Sequence, residues 1–174
     1  IVRIMGNPVQ NYIHWVTTPD GKNRKIVSPS GNPALVKRLE DAGFKRVPNW
    51  IIKVLDCNDQ KFKLLEVGNQ IYKGIQSLYN HPKWGKVTGY DISINRGPKG
   101  TQPLYSVTPN PKEALDASLK AKFVEFNDKI NIDKIISPLP SEEIEKMLGF
   151  SPTKVASERS SQKAVSQPAE FDFE

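Results

Sequence analysis

Three hairpins within residues 11–108, a helix between the second and third, and a polar acidic end predict a mainly β fold with helical additions. The hairpins are visible as paired runs of β-branched and aromatic residues around turn-forming clusters. With 174 residues the chain has room for one domain with a sizeable core, plus tails. It begins at Ile1 without Met, and whether a segment precedes it is left open.

Asn11 to Val16 (NYIHWV) is rich in aromatic and β-branched residues and predicts a strand. Pro19-Asp20-Gly21-Lys22 supplies a turn, and Arg24 to Val27 returns as the second arm. After a second turn at Ser28 to Gly31, Asn32 caps a short helix with Pro33 in its first position and Leu35, Val36 and Leu39 on its apolar side. Trp50 to Asp56 and Lys61 to Val67 form the second hairpin around Cys57 to Gln60. From Gly68, Ile71, Ile75, Leu78 and Tyr79 fall on one stripe of a helix, which ends at His81 to Gly85. Gly89 to Arg96 alternates with period two, and Gly97 to Gly100 turns it into Leu104 to Thr108, the third hairpin.

Pro109 and Pro111 interrupt the strand pattern. Lys112 to Phe126 predicts a helix with Leu115, Leu119 and Phe123 stacked, and Glu142 to Leu148 a shorter one with acids in its first turn. From Ser151 to residue 168, Ser, Gln, Ala and Pro dominate, the composition of a disordered linker. An OB-type antiparallel barrel is the most economical closure for about five or six such strands with one intervening helix. A ferredoxin-like α+β sandwich competes, disfavoured because one helix alone sits cleanly between strands. The chain thus divides into an OB-type core at 1–126, a linker with a short helix at 127–150, and a flexible acidic tail at 151–174.

Several chemistries lack their parts. The glycines form neither a GxxxxGK[ST] nor a GxGxxG loop, and His14 and His81 have no metalloprotease spacing. Acids in the body are few and most sit singly in turns (Asp20, Asp56, Asp59), which gives poor support to paired-carboxylate or two-metal catalysis. One cysteine, Cys57, and two histidines are too few for a Cys/His zinc site. The expectation is a non-enzyme without metal or cofactor. No apolar run approaches the ~20 residues of a membrane span.

Charge is unevenly placed. Residues 1–126 hold 19 Lys/Arg against 10 Asp/Glu, a net of +9, whereas residues 127–174 hold 6 against 9, a net of −3. A basic body suits a polyanion. Sequence-tolerant binding of single strands needs a basic groove and exposed aromatic faces on which bases stack. Both occur on the same hairpins: Tyr12, His14 and Trp15 with Arg24 and Lys25 on the first; Trp50, Lys53, Lys61 and Lys63 on the second; Arg96, Lys99 and Tyr105 on the third. Trp15 and Trp50 are each readable as core residue or as platform. His14 is expected at the surface or in a stack rather than as a ligand.

The run Lys61 to Ile75, then Trp84-Gly85, Gly89 to Arg96 and Tyr105 to Pro109, with the opening His14 to Lys22, resembles the single-stranded-DNA-binding proteins of tailed bacteriophages, relatives of the helix-destabilising protein of T-even phages. The resemblance spans roughly residues 10–150. It implies an OB-fold that coats single-stranded DNA during phage replication, recombination and repair, in the cytoplasm of the infected bacterial host. It also implies an acidic tail recruiting partners such as a polymerase or helicase loader, here through Glu170, Phe171, Asp172, Phe173 and Glu174. The family's ITR-x-G strand end falls on Ile94-Asn95-Arg96-Gly97, and its aromatic strand on Tyr105. The cysteine-rich zinc knuckle of many members is absent from Ser28 to Ala34, and the Pro33 to Ala42 helix is expected in its place. The alternatives are a transcription co-activator on the same fold that contacts RNA polymerase, and a structural module of the virion.

Overall fold

The computed structural model describes residues 1–151. The tail expected beyond Ser151, with its tip at Glu170 to Glu174, lies outside the described residues. In chain order the elements are β1 (Val2–Ile4), β2 (Val9–Thr17), β3 (Asn23–Val27), α1 (Pro33–Asp41), β4 (Arg46–Asp56), β5 (Lys61–Gly68), α2 (Asn69–Tyr79), β6 (Tyr90–Arg96), β7 (Tyr105–Lys112), α3 (Ala117–Lys129), α4 (Ile132–Ile135) and α5 (Ser141–Leu148). The three expected hairpins are all present, as β2–β3, β4–β5 and β6–β7. β1 and α4 are additions that their short runs did not announce.

The sheet does not close into a barrel, and this corrects the OB-type expectation. The strand order is β3-β2-β4-β1-β6-β7, with β5 paired to β4 off this path. An OB-like closure needs a ladder between β5 and β7, and none joins them among the described residues. Two features of the sequence account for the open seam. β7 runs on through Pro109 and Pro111, which the sequence pattern had placed beyond the strand. Proline has no N–H to give to a further ladder, so a strand carrying two of them is suited to an edge. Beside it, α2 comes close to β7 at Gly74, where an added Cβ would stand 2.7 Å from Val107 Cγ2. The result is a mixed α/β fold around one large open sheet.

The described residues separate into two compact units, the first made of Ile1–Tyr12 and Pro48–Ile136, the second of Ile13–Val47 and 137–151. In the first unit, β4 and β5 pair antiparallel from Asn49↔Gly68 to Asp56↔Lys61. Alternation sends Trp50, Ile52 and Val54 to one face of this ladder and Ile51, Lys53 and Leu55 to the other. α2 lies on the first face, where Tyr72 stacks on Trp50 with ring centroids 4.1 Å apart. The buried residues Ile4, Ile52, Val67, Ile75, Tyr90 and Ile92 belong to this unit. Arg3 is buried with them, paired with Asp91 at 2.5 Å and donating to the Glu113 carbonyl at 2.7 Å.

The second unit packs the β2–β3 hairpin, α1 and α5 around Val16, Ile26, Leu35, Leu39, Ile144 and Leu148. Asn32 caps α1 as its sequence requires, accepting from the Leu35 amide at 3.1 Å. The α1–α5 contact is also polar. Arg38 meets Glu145 at 3.1 Å, lies over the Phe150 ring at 4.5 Å, and donates to the Ser151 carbonyl at 2.7 Å. Asn32 Nδ2 donates to Ser141 Oγ at 3.1 Å. The short helix expected at Glu142 to Leu148 is therefore a core element of this unit, ended by Gly149 in the left-handed region (φ 66°).

Candidate nucleic-acid interface

Near its turn the first hairpin has a buried and an exposed face, whereas further along β2 Ile13 is buried on the same face as Trp15. The register pairs His14 with Ile26, Trp15 with Lys25, Val16 with Arg24 and Thr17 with Asn23. His14, Val16 and Ile26 point into the second unit's core. Trp15 and Lys25 therefore share the other face, directly opposite one another, and Trp15 is 61% exposed. Arg24 is exposed near the turn that closes the hairpin, and Thr17 Oγ1 donates to Asn23 Oδ1 at 2.8 Å. Tyr12, three residues before Trp15 on the same strand, is 37% exposed.

His14 is not the surface residue the sequence suggested. It is fully buried, with Nδ1 2.7 Å from the Phe44 carbonyl and Nε2 3.0 Å from Ser28 Oγ. A carbonyl can only accept, so Nδ1 carries the proton and Nε2 accepts from the serine hydroxyl. The imidazole joins the β2–β3 hairpin to the chain after α1 and presents no face to a base.

The second hairpin offers less than its composition promised. Trp50 is 7% exposed and its ring is covered by Tyr72. Lys63 lies between two carboxylates, Asp56 and Asp59, each at 2.7 Å. The Lys63 ammonium holds both carboxyls below their usual range, and they in turn raise its own pKa. Lys61 is exposed but stands across the ladder from Asp56. These four charges cancel, so the tip is poorly suited to phosphate. Lys53 donates to Asn127 Oδ1 on α3. Cys57, in the turn, has its thiol pKa pushed up to about 11, first by burial and then by the Asp91 carboxylate.

At the third hairpin, Arg96 and Tyr105 face each other across the ladder, and Gly97 closes the loop by donating to the Leu104 carbonyl at 2.7 Å. Lys99 is exposed on that loop, and Gln70 of α2 accepts from the Tyr105 amide at 2.9 Å. From the expected set the structure thus places Trp15 and Lys25 side by side in the second unit, with Arg24 on the opposite face of that hairpin beside Val16, and Arg96 and Tyr105 side by side in the first, with Lys99 on the adjoining loop. Two aromatic positions were missed. Trp84 is partly exposed, with the Lys83 ammonium 5.2 Å from its ring centroid. Phe62, on the outer face of β4–β5, packs against Phe123 and Phe126 of α3 at 5.5 and 5.7 Å. The alternation of Lys61-Phe62-Lys63-Leu64 was the available signal for Phe62. Among the described residues, no group of three or more His, Cys, Asp or Glu is placed to hold a metal ion, and no helix is long and apolar enough to cross a membrane.

The chain is similar to a protein of Escherichia phage T5 described as "Probable ssDNA-binding protein", with 31% identity over 128 residues. The match covers 61% of this chain and 49% of the phage protein, so the chain spans about half the length of the curated relative it matches. No family model matches the chain, and no solved structure matches it.

Proposed function

We propose that this chain binds and coats single-stranded DNA without sequence preference, in the service of phage DNA replication, recombination and repair, and that it catalyses no reaction. The observation that carries the reading is the pairing of Trp15 with Lys25 on the solvent face of β2–β3. A large aromatic face left in water beside a cation matches what a base and its phosphate require, and a stacked base contributes ~1–3 kcal/mol. The net charge of +9 over residues 1–126 and the similarity to the phage T5 protein support the same reading. Arg96, Lys99 and Tyr105 form a second contact region of the same kind. The acidic tip, Glu170 to Glu174, is assigned to recruiting a replication or recombination protein.

The test is affinity for oligo-dT and for duplex DNA, each at low and at high salt. Single strands should bind more tightly, and log K should fall with log salt by about 0.7 for each phosphate neutralised. A flat salt response or a preference for duplex refutes the reading. Deleting residues 169–174 should abolish capture of the partner while leaving dT binding intact or tighter.

A further inference from the structure

The β4–β5 ladder is covered on both faces, and the two covers are built differently. α2 contributes Ile75 and Leu78 to the buried set. α3, on the opposite face, has no buried residue at all. Its contact runs along one stripe, where Phe123, Phe126 and Asn127 follow the i, i+3, i+4 spacing of a single helix face. The two phenylalanines meet Phe62, and Asn127 accepts from Lys53. Val124, on the same helix, is left 58% exposed.

The floor beneath that stripe has the chemistry of a stacking surface. Phe62 lies opposite Leu55 and Leu64 opposite Lys53, so one aromatic ring, two leucines and one ammonium share the face. The present occupants are two aromatic rings on Phe62 and a neutral amide oxygen on Lys53. A single strand offers better counterparts of the same two kinds, bases for the rings and a charged phosphate oxygen for the amide. A helix with no buried side chain is also the element that opens at least cost.

We propose that the outer face of β4–β5, built on Phe62, Leu64 and Lys53, is a further single-strand-binding surface that α3 covers in the free protein and yields when DNA binds. This rests on the single-strand-binding reading above, and goes beyond it by adding a site and a gate. The aromatic contacts and the Lys53–Asn127 bond are the latch. Weakening the latch from the α3 side, with the floor left intact, therefore tightens DNA binding, whereas a change to the floor also removes a stacking face and weakens it.

The experiment follows amide hydrogen exchange in the whole chain with and without oligo-dT, alongside dT affinities of Asn127→Ala and Phe62→Ala. On dT binding, α3 amides should exchange faster while β4–β5 amides stay protected. Asn127→Ala frees Lys53 without touching the floor and should bind dT roughly three- to tenfold more tightly, the release of about one solvent-exposed hydrogen bond. Phe62→Ala loses a platform and should bind more weakly by a similar factor, with its melting temperature recorded to confirm folding. If α3 amides are unchanged or protected by dT, or Asn127→Ala binds no more tightly, the cover is refuted and single-strand binding stands. If the wild-type chain binds no dT at low salt, both readings fall together.

Discussion

Hairpins β2–β3 and β4–β5 have nearly the same ingredients, a tryptophan and two or more cations, and opposite outcomes. On β2–β3, Trp15 is left in solvent with Lys25 beside it. On β4–β5, Trp50 is stacked under Tyr72, Lys63 is neutralised by Asp56 and Asp59, and Lys53 is bonded to Asn127. The difference lies in what covers each hairpin. β2–β3 is covered on one face and open on the other around Trp15 and Lys25, beyond the buried Ile13, whereas β4–β5 has a helix on either side. An aromatic residue beside a lysine is thus open to a ligand only where no other element covers its face of the strand.

The largest expected effect separates the two tryptophans. Trp50→Ala should cost about 3–5 kcal/mol of stability, the usual range for emptying a buried large aromatic site. Trp15→Ala should stay within about 0.5 kcal/mol of wild type, since it removes an exposed side chain. Urea unfolding of both variants reads this directly, and similar losses would erase the distinction between the hairpins.

The turn of β4–β5 supplies the next test. With its thiol raised from 9.0 to about 11, Cys57 should carry roughly a hundredfold less thiolate at pH 8 than an unfolded cysteine does, and should react with a disulfide reagent correspondingly slowly until urea is added. The sign follows from burial favouring the neutral form. Any stability this gives is present below the unfolded pKa and is lost as pH climbs through 9 towards 11. Fast labelling of the native protein would show the turn to be open.

Trp15→Ala should weaken oligo-dT binding by ~1–3 kcal/mol, roughly thirtyfold at the middle of that range, while Trp50 variants that remain folded lose little. Fluorescence anisotropy measures both. The smallest effect concerns the lysines. Removing Lys25 should flatten the salt slope by about 0.7, whereas Lys63→Ala should leave it unchanged because two carboxylates already hold that charge. A slope that responds equally to both would mean that the Asp56–Lys63–Asp59 cluster opens in the complex.

Local signals were sufficient for most of the elements. The turn at Pro19 to Lys22, the Asn32 cap with Pro33, the apolar stripe of α2 and the alternation of Gly89 to Arg96 each appear where short-range chemistry places them. Closure was not local. A barrel and an open sheet use the same hairpins, and the choice turns on whether β5 and β7 meet. Gly74 against Val107, and two prolines on β7, are packing and edge effects between segments some thirty residues apart. The seating of α5 in the second unit's core depends on partners over a hundred residues away, such as Arg38 for Glu145.

The sequence by itself determined the three hairpins, the basic body and the supply of aromatic residues and cations on those hairpins, because strand pairing, turns and charge depend on neighbouring residues. Only the tertiary structure decided which of those residues face water. Alternation alone does not say which face of a strand is covered, and that depends on elements distant in sequence: α1 and α5 behind Val16, α2 over Trp50, and α3 over Phe62 and Lys53.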